Sequence, residues 1–128
     1  MGARGLVRFL LDSDALLQWM MRGRFARDVR RRIERAGAAV SAVSAYELTF
    51  KHERGRLRLP VSVSEAIERQ AFRPLAITVE HTALAGRLPL HHRDPFDRML
   101  IAQAQIESLT VVTRDGAFDA YDVDVVRF

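Results

Sequence analysis

Apolar residues fill Val7-Arg8-Phe9-Leu10-Leu11 almost without interruption, over the length of one strand. A strand that does not alternate is buried on both faces, as in a parallel sheet covered by helices. The run stops at Asp12, and Ser13 is of a type that caps the helix to follow. Phe25, Val29 and Ile33 then recur every four positions, which predicts a helix over 25–36 that Gly37 closes. A second strand is expected at 38–43, with Ser44 capping a helix at 45–54 that Gly55 ends. A connector at 56–60 leads to a helix at 64–72 and a short strand at 74–77, and Thr78 caps a helix running to about Gly86. Residues 88–93 read as a loop. Asp94 is an N-cap type and Pro95 suits the first helical position, so the helix at 95–107 is the best defined. β-Branched runs at 109–113 and 123–126 close the pattern as strands. Strands alternating with helices throughout argue for the α/β class: one domain over 1–128, a three-layer α/β/α sandwich around a mostly parallel central sheet.

Composition narrows this little. At 128 residues the chain is one domain's worth, and the absence of cysteine excludes disulfides, thiol chemistry and cysteine-based zinc sites. The apolar run after Arg4 and Arg8 is too short for a signal-peptide core or a membrane span, so a cytoplasmic, non-membrane protein is expected. The net charge is only +4, but of the 20 basic residues just one, Lys51, is a lysine. Arg22, Arg24, Arg27, Arg30, Arg31, Arg32 and Arg35 cluster about one expected helix; they suit phosphate contacts, or equally a solvated face with Asp28 and Glu34 interleaved.

The acids change the picture more. In open parallel sheets, functional groups gather beyond the carboxyl ends of the strands. Asp12 ends the first strand, Asp115 follows the strand that closes at Thr113, and the helix starts sharing that edge bring in Glu47, Asp94 and Asp97. Each has an ordinary explanation: an acid at a helix start is favoured by ~0.3–1 kcal/mol, and Asp94 with Asp97 resembles a capping box. Asp97, however, shares its helix face with Leu100, Ile101 and Ala104, and Glu47 shares one with Phe50. Ionised carboxylates turned toward a core cost several kcal/mol each without compensation. One lysine and scattered arginines are no obvious remedy, whereas a divalent cation is. Asp12, Glu47, Asp97 and Asp115 offer oxygen donors only, which suits Mg²⁺ or Mn²⁺. Such a site supports phosphodiester hydrolysis, with Asp12, Asp97 and Asp115 the candidate metal ligands and all four acids catalytic candidates.

The segments that carry these acids, Phe9-Leu10-Leu11-Asp12-Ser13, Ser41-Ala42-Val43-Ser44-Ala45-Tyr46-Glu47-Leu48, His91-His92-Arg93-Asp94-Pro95-Phe96-Asp97-Arg98 with Met99-Leu100-Ile101-Ala102-Gln103-Ala104, and Val112-Thr113-Arg114-Asp115, together resemble PIN-domain ribonucleases, and within them the VapC toxins of toxin–antitoxin pairs. The resemblance covers nearly the whole chain in order. It implies a PIN-like fold and a Mg²⁺- or Mn²⁺-dependent endoribonuclease. It also implies a homodimer held inactive by a cognate antitoxin that itself binds operator DNA, with RNA, transfer RNA above all, as substrate. It carries the acid roles onto Asp12, Glu47, Asp97 and Asp115, and adds Asp94, Ser13 and Thr113 as auxiliary candidates. Many relatives have His where this chain has Asp14, which therefore reads as first-turn charge beside the site.

Two other readings stand beside this one. Asp12-x-Asp14 after a strand also resembles the nucleophile pair of haloacid-dehalogenase-type phosphatases, but Leu16 occupies the position where Thr or Val is expected, and Lys51 comes too early for that family's lysine. A catalytically silent module of the same fold, binding RNA or an antitoxin, is the second; such chains normally lose acids, and this one keeps the set. Arg98, Arg114 and His92 are candidate RNA contacts. Trp19, Met20 and Met21 read as core or dimer contacts, and His52 and His81 as surface residues.

Overall fold

β1 (Phe9–Leu11) stands at the centre of a five-stranded sheet in the computed structural model, which describes residues 6–23 and 25–128. Arg4 and Arg24 lie outside the described residues. On one side β1 pairs with β2 (Ala38–Ser41), and β2 with β3 (Arg73–Leu75). On the other it pairs with β4 (Thr110–Val112), and β4 with β5 (Val125–Val126). Every pairing is parallel, so the sheet is wholly rather than mostly parallel. Pro74 is tolerated in β3 because that strand lies at the sheet edge.

The first strand of β1 explains its own lack of alternation. Phe9 and Leu11 enter a core with Leu16, Trp19, Ile33, Leu48 and Phe72, beneath α1 (Ser13–Met20), α2 (Arg27–Ala36), α3 (Ala42–Glu53) and α4 (Val63–Arg69). Leu10 enters the opposite core with Leu100, Ile101, Val111 and Phe118, beneath α5 (Val79–Arg87) and α6 (Pro95–Glu107). Both faces are covered, and the three layers follow. Gly37 takes φ 82° directly before β2, and a Cβ there would meet Val7 Cγ1 at 2.9 Å. The stop expected at that glycine is therefore enforced twice, by backbone and by packing.

Several boundaries shift, each for a local reason. Asp12, not Ser13, caps α1: its backbone is extended (φ −74°, ψ 175°) and its carboxylate accepts from Ala15 N at 2.7 Å. Ser41, not Ser44, caps α3 by accepting from Val43 N, so β2 ends two residues earlier than expected and Ser44 is buried within the helix. Ser62 caps α4, which starts one residue early and ends at Arg69. Gly116–Ala120 forms a 3₁₀ turn that the apolar pattern does not announce, capped by Asp115. Thr78 caps α5 as expected, but His81 is not a surface residue: it is buried, with Nδ1 accepting from Thr78 N and Nε2 2.9 Å from Glu107. His52 is half-buried and accepts from Leu59 N, and Trp19 is core, edge-on to Phe25 and Phe72. Among the described residues no helix is long and apolar enough to cross a membrane.

Candidate active site

The chain runs outward from β1 through β2 to β3, then returns to the other side of β1 to place β4. The strand order therefore reverses between β1 and β4, and a crevice opens at their carboxyl ends, the usual location of a ligand site in an open parallel sheet. Leu11 and Val112 are in register there, so Asp12 and Thr113 leave the sheet side by side.

Asp12 is only 6% exposed. Besides capping α1 it accepts a hydrogen bond from the Thr113 hydroxyl, which in turn accepts from Asp115 N at 3.0 Å. Burial, reinforced by the charges of Asp14 and Asp97, pushes the Asp12 carboxyl up to about 6. Asp97 is raised as well, chiefly by burial and then by Asp94 and Glu47, against a lowering hydrogen bond from His92. Two neighbouring acids are thus held where ionisation is costly, the condition that a cation relieves.

Asp97 comes from the first turn of α6, and His92 Nε2 lies 2.7 Å from its Oδ2. Asp115 follows β4 and caps the 3₁₀ turn through Ala117 N. One donor atom from each of His92, Asp97 and Asp115 falls within 4.8 Å of the others. Glu47 approaches from α3: its Oε1 accepts from the Ser13 hydroxyl and its Oε2 from Lys51 Nζ, both at 2.8 Å. Lys51 does compensate one acid, contrary to the expectation from composition, and its i,i+4 spacing from Glu47 is the signal that announces it. Four oxygen-bearing acids with one imidazole fit a divalent cation of the Mg²⁺ or Mn²⁺ kind.

The remaining candidates divide. Asp94 is exposed and caps α6, its Oδ1 accepting from Phe96 N and Asp97 N; it acts on the site through its charge on Asp97. Arg114 is exposed at the same rim, donating Nε and NH2 to Asp14 at 2.6 and 3.2 Å with its guanidinium 5.3 Å from the Phe128 ring centre. The RNA contact expected of Arg98 is corrected. Its guanidinium is buried and donates to the carbonyls of Ala85, Leu88, Pro89 and His92. Tyr121, unremarked in the sequence, joins it: the hydroxyl donates to Pro89 O and accepts from His92 N. These two side chains fix the 88–92 loop and so bring His92 to Asp97.

A profile of the PIN domain matches residues 9–124. The chain belongs to the PIN domain family. This PIN domain is similar to the DNA-bound VapBC of Salmonella typhimurium, at 17% identity and TM-score 0.74, with 94% of this chain and 98% of that chain covered. FitAcB of Neisseria gonorrhoeae matches at 24% identity and TM-score 0.63, covering 91% of this chain and 95% of that one. VapBC2 of Rickettsia felis, bound to a promoter fragment, matches at 12% and 0.70, covering 95% and 99%. At such identities the likeness establishes the fold. No curated protein matches the sequence. PIN domains are generally nucleases that use divalent metals, in keeping with the acids assembled at this edge.

Proposed function

We propose that this PIN domain is a VapC-type toxin, a Mg²⁺- or Mn²⁺-dependent endoribonuclease that hydrolyses phosphodiester bonds in RNA and is neutralised by a cognate antitoxin. The observation that carries the reading is the convergence of Asp12, Glu47, Asp97 and Asp115 at one sheet edge, two of them held above their usual range by burial. The VapBC and FitAcB complexes among similar structures support an antitoxin as partner, and in this reading DNA is engaged only through that antitoxin. The protein acts in the cytoplasm as a homodimer, and transfer RNA is the substrate class.

Asp12, Asp97 and Asp115 would hold the ion, with His92 beside them. When bound, the ion supplies Lewis-acid stabilisation of the charge that develops on the phosphate, and it acidifies water at the site. The chain's own residues prepare the ground. Thr113 links Asp12 to the start of the 3₁₀ turn, His92 orients the Asp97 carboxylate, and Ser13 with Lys51 fix both oxygens of Glu47 so that its remaining lone pairs orient a water molecule. Asp14 holds Arg114 at the rim in a two-point grip suited to presenting a guanidinium to a phosphate.

The test is incubation of the purified, antitoxin-free protein with end-labelled bulk RNA in Mg²⁺, Mn²⁺ or EDTA. Discrete fragments in the metal lanes alone are expected, and a folded protein that yields none with either metal contradicts the reading. Arg114→Ala should raise KM several-fold and reduce the salt dependence of RNA binding by about one phosphate contact. An unchanged salt slope would remove Arg114 from the substrate path.

A further inference from the structure

The outer face of α3 carries a stripe that the acid site does not use. Val43, Ser44 and Leu48 are the buried side of this helix, whereas Tyr46, Phe50 and Arg54 follow one another at four-residue spacing on the side away from the core. The Tyr46 side of the stripe is the unusual part: this residue is 57% exposed. Phe96 meets it edge-on at 5.9 Å and 71°, and Phe50 lies 5.7 Å away at 35°. Arg54 closes the far end, its guanidinium 3.7 Å from the Phe50 ring centre.

The position of this cluster is what gives it meaning. Tyr46 directly precedes Glu47 and Phe96 directly precedes Asp97, and Glu47 and Asp97 are close enough for one charge to raise the other. An aromatic pair and an acid pair therefore lie side by side where α3 meets the start of α6. Phe50 and Phe96 are already half covered, the first by Arg54 and the second by Tyr46. What remains open is one tyrosine ring, with the Arg54 guanidinium beyond Phe50 at the far end of the stripe. One ring is a small apolar area on which to centre an interface with a second copy, and a cation at its end is complementary to a polyanion.

We propose that Tyr46, backed by Phe96 and Phe50, stacks a nucleobase of an unpaired RNA segment next to the phosphate held at the acids, with Arg54 taking a backbone phosphate further along. The proposal rests on the nuclease reading and names its substrate class. Base faces are available for stacking in loops and single strands and hidden within a duplex, so the platform selects RNA that is unpaired at the cleavage point. Stacking of this kind tolerates any base, so selection is by strandedness more than by sequence.

The experiment is steady-state cleavage of a random-sequence single-stranded RNA pool in Mn²⁺ by the wild-type chain and by Tyr46→Ala, Tyr46→Phe and Arg54→Ala. Sedimentation velocity and a thermal melt are run on each. Tyr46→Ala should raise KM about tenfold with kcat nearly unchanged, as loss of one stacked base entails, and Tyr46→Phe should match the wild type. Arg54→Ala should raise KM mainly at low salt. An unchanged KM in a folded Tyr46→Ala overturns the platform while leaving the nuclease intact, and equal losses in the Ala and Phe variants overturn stacking as the cause. A dimer that becomes a monomer on Tyr46→Ala assigns the face to a second copy instead. Absence of cleavage by the wild-type chain in Mn²⁺ and Mg²⁺ overturns the nuclease reading and the platform together.

Discussion

Replacing Asp12 by Asn should abolish metal-dependent RNA cleavage, by roughly 10²–10³-fold or more, while making the metal-free protein more stable at neutral pH. The two effects share one cause. Asp12 is buried, and its carboxyl sits at about 6 in the folded chain against 3.8 as its ordinary value. The folded state binds that proton more tightly than the unfolded one. The resulting stabilisation is complete below pH 3.8 and is lost as pH rises through about 6. Near pH 7 the ionised side chain therefore costs on the order of 3 kcal/mol relative to its protonated form. Asn keeps the cap, because its carbonyl oxygen accepts from Ala15 N as Asp12 Oδ1 does, and it carries no charge to bury. Thermal melts in EDTA at pH 4 and pH 7 read this directly: the variant should gain over the wild type at pH 7 and not at pH 4. Added Mn²⁺ should raise the wild-type midpoint and raise the variant's far less. Asp97→Asn should lose cleavage in the same way. Near-wild-type cleavage by either variant would reduce that acid to a helix-start charge.

The placement of Asp12 and Asp97 at the sheet edge is legible in the sequence because its signals are local. A carboxylate directly after a buried strand, or on the apolar side of a helix, announces itself within a few residues. The α/β architecture was legible for the same reason: Phe9-Leu10-Leu11 faces two cores, and Asp94-Pro95 marks the start of α6 to the residue. The contacts that hold the site together are of another kind. Ser13 reaches Glu47 across 34 positions, Arg114 reaches Asp14 across 100, and Tyr121 reaches His92 across 29. No periodicity encodes these pairings; they exist only once β1 and β4 are adjacent. The two misplaced caps had a simpler origin. Asp12 and Ser41 each lie at the last residue that keeps an extended backbone, and it is that conformation, rather than the residue type alone, that decides which side chain caps. Arg98 departs from the expected RNA contact because a residue next to Asp97 in sequence need not share its side of the helix. Asp97 looks along the sheet edge, while Arg98 turns beneath the 88–92 loop.

That orientation makes Arg98 the position with the largest expected effect on stability. Four backbone carbonyls, of Ala85, Leu88, Pro89 and His92, converge on the guanidinium of a residue that is only 8% exposed. They include the last turn of α5, whose orphan carbonyls need donors from somewhere, and the loop that leads to α6. Truncating the side chain strands these acceptors at a cost of ~1–3 kcal/mol each where water cannot replace the donor. Even with partial rescue by water and by the Tyr121 hydroxyl, Arg98→Ala should lose roughly 3–5 kcal/mol, a large share of the ~5–15 kcal/mol that such a domain has. Arg98→Lys should recover only part, because an ammonium cannot reproduce the planar fork that serves separate carbonyls. Urea unfolding in EDTA checks this apart from any chemistry: the midpoint should fall steeply for Ala and less for Lys with the slope preserved. The loop also carries His92, so a folded Arg98→Lys should show reduced kcat through a displaced imidazole, although Arg98 itself touches no substrate. An Arg98→Ala midpoint within about 1 kcal/mol of the wild type would mean that water satisfies the carbonyls unaided and that the loop holds its place without the guanidinium.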